Sequence, residues 1–414
     1  MYKRIHYIMW YQGLFGGSKK AKKALEHYGG FEKLYEVVTK DGDTEGLLRD
    51  FTRERLSAFS LFDAYDAIET AKDLGGDAIT FESPLYPQRL LEIGDYPYVL
   101  FYQGDKEVLR DGAKVAMVGS RKAPDEALAL SWSAAYNLAK TGAVIVSGAA
   151  LGVDTAAHKG AIAAGGATVG VLGCGLGNEY MNRLGDFYKE VCRNGVYITE
   201  MLPGEAPSRF TFPERNRIIS GMSDAVLVTY AGEKSGSLIT AGTAKKQKRR
   251  VYAVSEKLFP SEGCKKLLAE GAYIFNNAGD IAYPLREAFG RNFNEGYCNR
   301  SVDGDSVPKE AYTLRKTEKA REEEISVKAE PNVNNTEQKK KAPPVKEEKT
   351  LKEVPDFASE DAKKIYSVLL EDKRDVNKLV DITGLPVRAV LTAVTELEIF
   401  GLIRNLPGAV VEAI

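Results

Sequence analysis

Residues 143–166 read AVIVSGAALGVDTAAHKGAIAAGG. An apolar, β-branched run opens this stretch, a turn follows at Ser147-Gly148, and a helical pattern then extends from Val153 to Ala164 and stops at two glycines. A strand, a glycine turn and a helix in succession form the unit from which parallel sheets with helices on both faces are built. This stretch therefore decides the fold class.

The same unit recurs along the middle of the chain. Apolar strands are predicted at Val115–Val118, Val144–Val146, Thr168–Leu172, Val196–Thr199, Ala225–Thr229 and Val251–Val254. These strands lack the polar alternation of a sheet with one wet face, which indicates burial on both sides. Residues 76–290 are therefore predicted to form an α/β domain with a Rossmann-like, doubly wound, mostly parallel sheet.

The two ends of the chain have different patterns. Residues 1–75 place apolar side chains at helical spacing and predict a small N-terminal helical domain of the SAM-like or helix-hairpin-helix type. Residues 291–355 lose apolar periodicity and are rich in Lys, Glu, Asn and Pro, which predicts a disordered linker. Residues 356–414 show three helical stripes and then two short apolar runs, which predicts a C-terminal winged-helix domain.

Composition excludes several classes of protein. The 414 residues carry a formal net charge of −1, so a surface that binds nucleic acid has to come from a local cluster of Lys and Arg. Four scattered cysteines without CxxC spacing favour a reducing compartment and neither a disulfide framework nor a zinc site. No secretory signal and no apolar run of about 20 residues is present, so we expect a cytoplasmic protein without membrane partners, metal or cofactor.

Glycine, serine and basic residues cluster where predicted strands end. In an open α/β sheet those strand ends meet at one crevice, where backbone amides, hydroxyls and cations can hold an anion. The candidate residues are Gly119, Ser120, Arg121, Ser147, Gly148, Arg215, Asn216, Arg217, Lys234, Ser235, Gly236 and Ser237. None of them forms an evident nucleophile–base pair, so no catalytic residue is predicted.

The pattern also indicates which anion is bound. The chain lacks the GxxxxGK[ST] loop of nucleoside triphosphate sites, and the glycines at residues 173–177 lack the GxGxxG spacing of dinucleotide sites. The basic run Lys245–Arg250 would extend a positive surface, which favours a polyanion. Two alternatives stay open. Arg215 and Arg217 could form salt bridges with Glu200 or Glu214, and Phe210 and Phe212 could serve either packing or base stacking.

The succession GSR, SGAALGVDTAAH, FPERNRIISG and KSGSLITA within residues 83–272 resembles the DNA-processing protein A (DprA/Smf) family. The resemblance implies a homodimer that binds single-stranded DNA, protects incoming DNA and loads the RecA recombinase during natural transformation, without being an enzyme. It also implies that the candidate residues above contact DNA.

The chain departs from the family pattern after the third predicted strand, where Gly177-Asn178-Glu179-Tyr180-Met181 replaces the usual Gly-Leu-Asp and Tyr-Pro, and at Ala149, where a second glycine is common. Two other functions remain possible on the residues alone. One is a nucleotide or nucleoside-phosphate hydrolase on a Rossmann-like fold, and the other is a winged-helix transcription regulator.

Overall fold

The computed structural model describes residues 2–41, 47–48, 58–110, 112–208, 211–302, 304, 307–313, 359–371, 374–399, 402–406 and 410–413. The chain divides into two compact units, Met1–Val327 and Lys328–Ile414. Among the described residues, no helix is both long and apolar enough to span a lipid bilayer.

The first unit is built on one sheet, to which nine strands of its described residues contribute. The strands are β1 (Asp77–Thr80), β2 (Val99–Gly104), β3 (Lys114–Gly119), β4 (Val144–Ser147), β5 (Thr168–Val171), β6 (Gly195–Thr199), β7 (Ala225–Tyr230), β8 (Arg250–Val254) and β9 (Tyr273–Phe275). Their order is β1-β2-β6-β5-β4-β3-β7-β8-β9. Strands β3 to β9 are parallel, and β2 runs antiparallel to both of its neighbours. The Rossmann-like, mostly parallel sheet is confirmed, and each of the six predicted strands lies within one residue of its observed position.

Helices cover both faces of this sheet. They are α1 (Arg4–Phe15), α2 (Lys19–Tyr28), α3 (Phe31–Glu36), α4 (Leu61–Asp73), α5 (Gln88–Leu91), α6 (Asp125–Lys140), α7 (Val153–Ala163), α8 (Asp186–Asn194), α9 (Thr211–Gly221), α10 (Gly236–Lys246), α11 (Glu262–Ala269), α12 (Gly279–Ala282), α13 (Arg286–Phe289) and α14 (Lys309–Tyr312). Val115 and Met117 of β3 face a core that includes α6 and α7, whereas Ala116 and Val118 face the core with α9 and α10. This alternation explains why the strand is apolar at every position.

The N-terminal helices share their core with the sheet. Trp10 and Tyr11 of α1 are fully buried in one cluster with Tyr98, which immediately precedes β2, and Phe101, which lies within β2. The side chain of Gln12 reinforces this junction, because its amide donates to the Val99 carbonyl at 3.0 Å and its Oε1 accepts from the Val99 amide at 2.7 Å. The helical character predicted for residues 1–75 is therefore joined to the α/β unit by a continuous core.

The prediction that the disordered linker begins at residue 291 is wrong. Cys298, Val302 and Tyr312 are buried in the core of the first unit, where Tyr312 of α14 packs on Leu128 and Val153. The sequence conceals this because the segment supplies single apolar side chains to an existing surface and forms no amphipathic element of its own. Residues 314–355 of the predicted linker lie outside the described residues.

The second unit contains the predicted winged helix. Its elements are α15 (Glu360–Glu371), β10 (Arg374–Asp375), α16 (Val376–Thr383), α17 (Val387–Ile399), β11 (Ile403–Leu406) and β12 (Val410–Ala413). Strands β11 and β12 pair antiparallel as a wing, and β10 adds a third strand that the sequence analysis does not predict. Ile365, Leu379 and Leu397, one from each helix, are fully buried in its core.

Candidate functional site

A cleft of about 420 Å³ opens at the carboxyl ends of β3 and β7. The chain runs outward from β3 through β4, β5 and β6 and then returns to β7 on the other side, so this is the topological switch point of the sheet. Among the predicted residues, the cleft is lined by Gly119, Ser120, Arg121, Arg215, Asn216, Ser235, Gly236 and Ser237. The structure therefore brings three separated segments of the sequence to one place.

The loop after β3 is held between β7 and α7. The Ser120 amide donates to the Tyr230 carbonyl at 2.9 Å, and the Ser120 carbonyl accepts from the Val153 amide at 3.3 Å. A Cβ at Gly119 would lie 2.6 Å from Val153 Cγ2, so only glycine fits this close approach. The exposed side chains of Arg121 and Lys122 then follow at the mouth of the cleft.

Arg215 is the buried cation of the cleft. It is 4% exposed, and within the described chain its side chain makes one hydrogen bond, from Nη1 to the Val171 carbonyl at 2.9 Å. The Nε atom is buried and has no partner among the described residues. A guanidinium carries five N–H donors, and one of them is taken by Val171, so the other Nη donors can serve a ligand in the cleft.

The carboxylate of Asp154 stabilises the charged form of Arg215. Burial lowers the pKa of Arg215 and the nearby Asp154 carboxylate opposes that change, whereas burial raises the pKa of Asp154 and Arg215 opposes it. Asp154 Oδ2 also accepts from the Gly148 amide at 3.1 Å, which holds the loop after β4. With Arg121 and Lys122 added, the cationic groups at the cleft outnumber its one carboxylate.

The N-terminus of α10 forms the third wall. Ser235 caps the helix by accepting from the Ser237 amide, and the two hydroxyl oxygens lie 2.8 Å apart. No atom of the described residues lies within 4 Å of the position that a Cβ at Gly236 would take, so a ligand can approach the backbone there. Free amides and the positive end of the helix dipole favour an anion at this wall.

Aromatic side chains border the cations. The Arg121 guanidinium lies 4.8 Å from the centroid of the Phe212 ring, and Tyr180 lies 6.1 Å from the same ring. The Arg183 guanidinium lies 3.5 Å from the centroid of the Tyr180 ring, and Arg183 donates to the Ala149 carbonyl at 3.2 Å. Tyr180 of the unusual segment 177–181 does not line the cleft itself, but it packs beside Phe212, which does. Ala149 adopts φ 52°, a left-handed conformation that explains why glycine is common there.

Four predicted residues do not line the cleft. The Ser147 hydroxyl is fully buried and donates to the Met117 carbonyl at 2.6 Å, and Gly148 lies beneath Arg215. Lys234 is exposed outside the cleft wall. Arg217 points away from the cleft, toward Glu200 and Asp95.

Arg217 forms the salt bridge that the sequence left as an alternative. Its Nη2 lies 2.5 Å from Glu200 Oε2 and its Nε lies 3.5 Å from Asp95 Oδ2. Burial raises the pKa of Glu200, and Arg217 opposes the rise. The pair connects α9 to the end of β6, so it positions the helix that carries Arg215.

The run Lys245–Arg250 does not extend the positive surface as a whole. Arg249 is buried and pairs with Glu92 at 2.6 Å, and Lys245 pairs with Glu270 at 3.5 Å. Arg250 begins β8, at the opposite end of the strands from the cleft. Arg249 therefore packs at the amino-terminal edge of the sheet, and the exposed Lys245, Lys246, Lys248 and Arg250 lie toward that same edge, away from the cleft. The cleft is also lined by residues that were not predicted to lie there, namely Val118, Lys122, Ala150, Asp154, Ile219 and Thr240.

Fold and cleft together define a class, the α/β proteins whose Rossmann-like sheet presents a cation-rich crevice at its topological switch point. Residues 77–286 match the family model of DNA recombination-mediator protein A, and residues 341–409 match that of the DprA winged helix domain. The chain belongs to the DNA recombination-mediator protein A family.

Named relatives agree with this assignment. Protein Smf of Synechocystis is 27% identical over 419 residues, which span 98% of this chain and 98% of the relative. DNA processing protein DprA of Bacillus subtilis is 34% identical over 254 residues, which span 59% of this chain and 86% of the relative. The X-ray structure of DNA processing protein A from Streptococcus pneumoniae superposes with a TM-score of 0.55 and 29% identity, over 67% of this chain and 95% of the other.

Proposed function

We propose that the cleft binds the phosphate backbone of single-stranded DNA. The observation that carries this proposal is the buried guanidinium of Arg215, which lines the cleft and makes one hydrogen bond within the described chain. A desolvated cation with free donors gains most from a bound anion, since charge-assisted hydrogen bonds strengthen where water is excluded. Arg121 and the N-terminus of α10 supply further donors on the other walls.

Single strands suit the cleft better than duplexes. Its donors are backbone amides, hydroxyls and guanidinium groups, which recognise phosphate and carry no sequence information. Phe212 and the Arg121 guanidinium that lies over its ring offer flat surfaces in the cleft on which an unpaired base can stack, and a paired base offers no such face. Binding should therefore be tolerant of sequence and strongly dependent on salt.

The test is fluorescence anisotropy with labelled oligo-dT, duplex DNA and nucleoside monophosphates. We expect tight, salt-sensitive binding of oligo-dT by the wild type. Arg121→Ala and Arg215→Lys should each weaken it by roughly tenfold or more, the second because an ammonium cannot reproduce the guanidinium fork. Lys106→Ala, at the opposite end of the sheet, is the matched control and should bind as the wild type does.

Other outcomes would replace this function. Preference for duplex would favour a transcription regulator that uses the winged helix, and turnover of a nucleotide would favour a hydrolase. In our proposal the protein catalyses no reaction, and the cleft residues act by binding alone.

The cellular role that we propose follows from the family. The protein would act in natural transformation as a homodimer that protects incoming single strands and loads RecA onto them. Nuclease protection, light scattering for the dimer, and RecA filament formation on strands coated with single-strand binding protein test these three parts separately. Absence of RecA stimulation by a protein that binds oligo-dT normally would remove the loading role and leave the binding role intact.

A further inference from the structure

Helix α2 presents an exposed row of lysines on the N-terminal part of the first unit. Lys19, Lys22 and Lys23 are exposed, whereas Ala21 and Ala24 of the same helix are fully buried. Within the described residues, no carboxylate forms an ion pair with any of these three lysines. Three such charges close together repel one another, so the surface is suited to an anionic partner.

The spacing of these lysines suits a chain of negative charges. Lys19 and Lys23 are separated by four residues, which is about one helical turn or 6 Å along the axis, and Lys22 lies between them. Glu26 is the one acidic residue of the helix. Since the whole chain has a net charge of −1, the positive potential here is local to this helix.

The lysine face is linked to the cleft by a short series of contacts. Asn216 lines the cleft, and the next residue, Arg217, pairs with Asp95 at 3.5 Å. A Cβ at Gly17 would lie 3.6 Å from the Asp95 Cβ, and Ser18, which follows, caps α2. Asp95 shares Arg217 with Glu200, so its negative charge on this route is offset in part.

We propose that Lys19, Lys22 and Lys23 form a second contact surface for the same DNA strand, a few nucleotides from the part held in the cleft. This inference rests on the proposed function, because the occupant is the strand that the cleft grips. The lysines contact phosphates without reading bases, and they lengthen the binding site beyond the cleft.

The test compares oligo-dT of about 5 nucleotides with oligo-dT of about 30 nucleotides, a range that brackets common single-strand site sizes. The variant is Lys19→Ala combined with Lys22→Ala and Lys23→Ala. The matched control removes three exposed cations at the other end of the sheet, through Lys106→Ala, Arg193→Ala and Lys246→Ala. The fluorescence of Trp10, buried in the neighbouring α1, reports whether each variant is folded.

We expect the lysine variant to bind the short oligonucleotide like the wild type and the long one roughly tenfold more weakly. The slope of log K against log salt for the long oligonucleotide should fall by about 2, since each lost phosphate contact on a single strand contributes about 0.7. An unchanged slope with the long oligonucleotide would overturn the proposal, and so would an equal loss on both lengths. Failure of the wild type to bind either length would instead refute the proposed function itself.

Discussion

The guanidinium of Arg215 lies so close to the backbone of Gly148 that a Cβ at residue 148 would be 1.7 Å from Arg215 Nη1. The same Cβ would be 2.6 Å from Asp154 Oδ2. Glycine is therefore required at this position by lack of space, because the buried cation and its carboxylate occupy the volume that a side chain would need. Gly148 has no direct contact with the cleft, yet it determines where Arg215 lies.

Gly148→Ala should displace Arg215 and weaken binding of oligo-dT by roughly tenfold or more, since the methyl group and the guanidinium cannot both keep their places. Anisotropy measures the affinity. Gly94→Ala is the control, because nothing lies within 4 Å of the corresponding Cβ position and Gly94 is exposed. Equal affinities for the two variants would show that the position of Arg215 does not govern binding.

Arg217→Ala should lower the free energy of unfolding by about 3 kcal/mol, because it leaves the carboxylate of Glu200 buried without its counter-charge. The side chains of the pair are 18% and 13% exposed. The salt slope of its remaining DNA binding should equal that of the wild type, since Arg217 lies outside the cleft. Arg121→Ala should have the opposite pair of effects. Its free energy of unfolding should stay within about 0.5 kcal/mol of the wild type, and the salt slope of its DNA binding should be smaller. Urea unfolding and anisotropy in a salt series measure both, and a reduced slope for Arg217→Ala would return that residue to the DNA contacts.

A chain that ends at residue 290 should be less stable than one that ends at residue 327. The shorter chain lacks the buried side chains of Cys298, Val302 and Tyr312, and each large apolar side chain contributes about 1.5 to 3 kcal/mol on burial. The two tryptophans of the protein, Trp10 and Trp132, both lie in the first unit, so their fluorescence during urea unfolding reports on this unit alone. Coincident transitions for the two chains would show that residues 291–313 add nothing to its stability.

His158 should make the first unit sensitive to acid. It is fully buried, and its Nδ1 lies 2.7 Å from Thr168 Oγ1, whose own proton goes to the Ile145 carbonyl. Burial, reinforced by the charge of Arg215, lowers the pKa of His158 to about 3. The unfolded chain binds this proton near pH 6.5. The contribution of neutral His158 to the free energy of unfolding is therefore fully present above about pH 6.5. It is lost as the pH falls toward about 3, by up to about 1.4 kcal/mol per pH unit.

His158→Gln removes this titration. The free energy of unfolding, followed by tryptophan fluorescence at about pH 7 and about pH 5, should fall less with acid in the variant than in the wild type. His6, whose pKa is also lowered by burial, remains in both proteins, as do carboxyl groups with shifted pKa values such as Glu82 and Glu200, and these groups contribute to the residual dependence. Parallel pH dependence in the two proteins would contradict the buried, neutral state of His158.

Strands β3 to β8 and the cleft loops could be predicted because these strands are mostly apolar and the turns after them carry glycine or serine. Strands β1, β2 and β9, at or next to the edges of the sheet, were not predicted. The orientation of Arg215 and Arg217 could also have been predicted. Both lie on α9, and residues two apart on a helix point about 200° apart, so they cannot both face one cleft. Residue type alone, without this helical geometry, assigns both arginines to the anion.

Other features have no local signal. Whether Ser147 faces the cleft depends on its hydrogen bond to Met117 in the neighbouring strand, a contact between residues far apart in sequence. The role of Tyr180 depends on its distance from Phe212, which follows from the packing of two loops. The helical pattern of residues 1–75 predicted helices but gave no sign that their apolar face would be shared with β2.

That shared face has a consequence for how the polypeptide can be divided. Trp10 and Tyr11 on one side and Tyr98 and Phe101 on the other complete a single apolar interior. A backbone nick between residues 41 and 58 would thus produce two pieces, each of which exposes half of that interior when alone. Such pieces should reassociate on mixing, in the manner of fragment complementation, and neither should be soluble at high concentration without its counterpart.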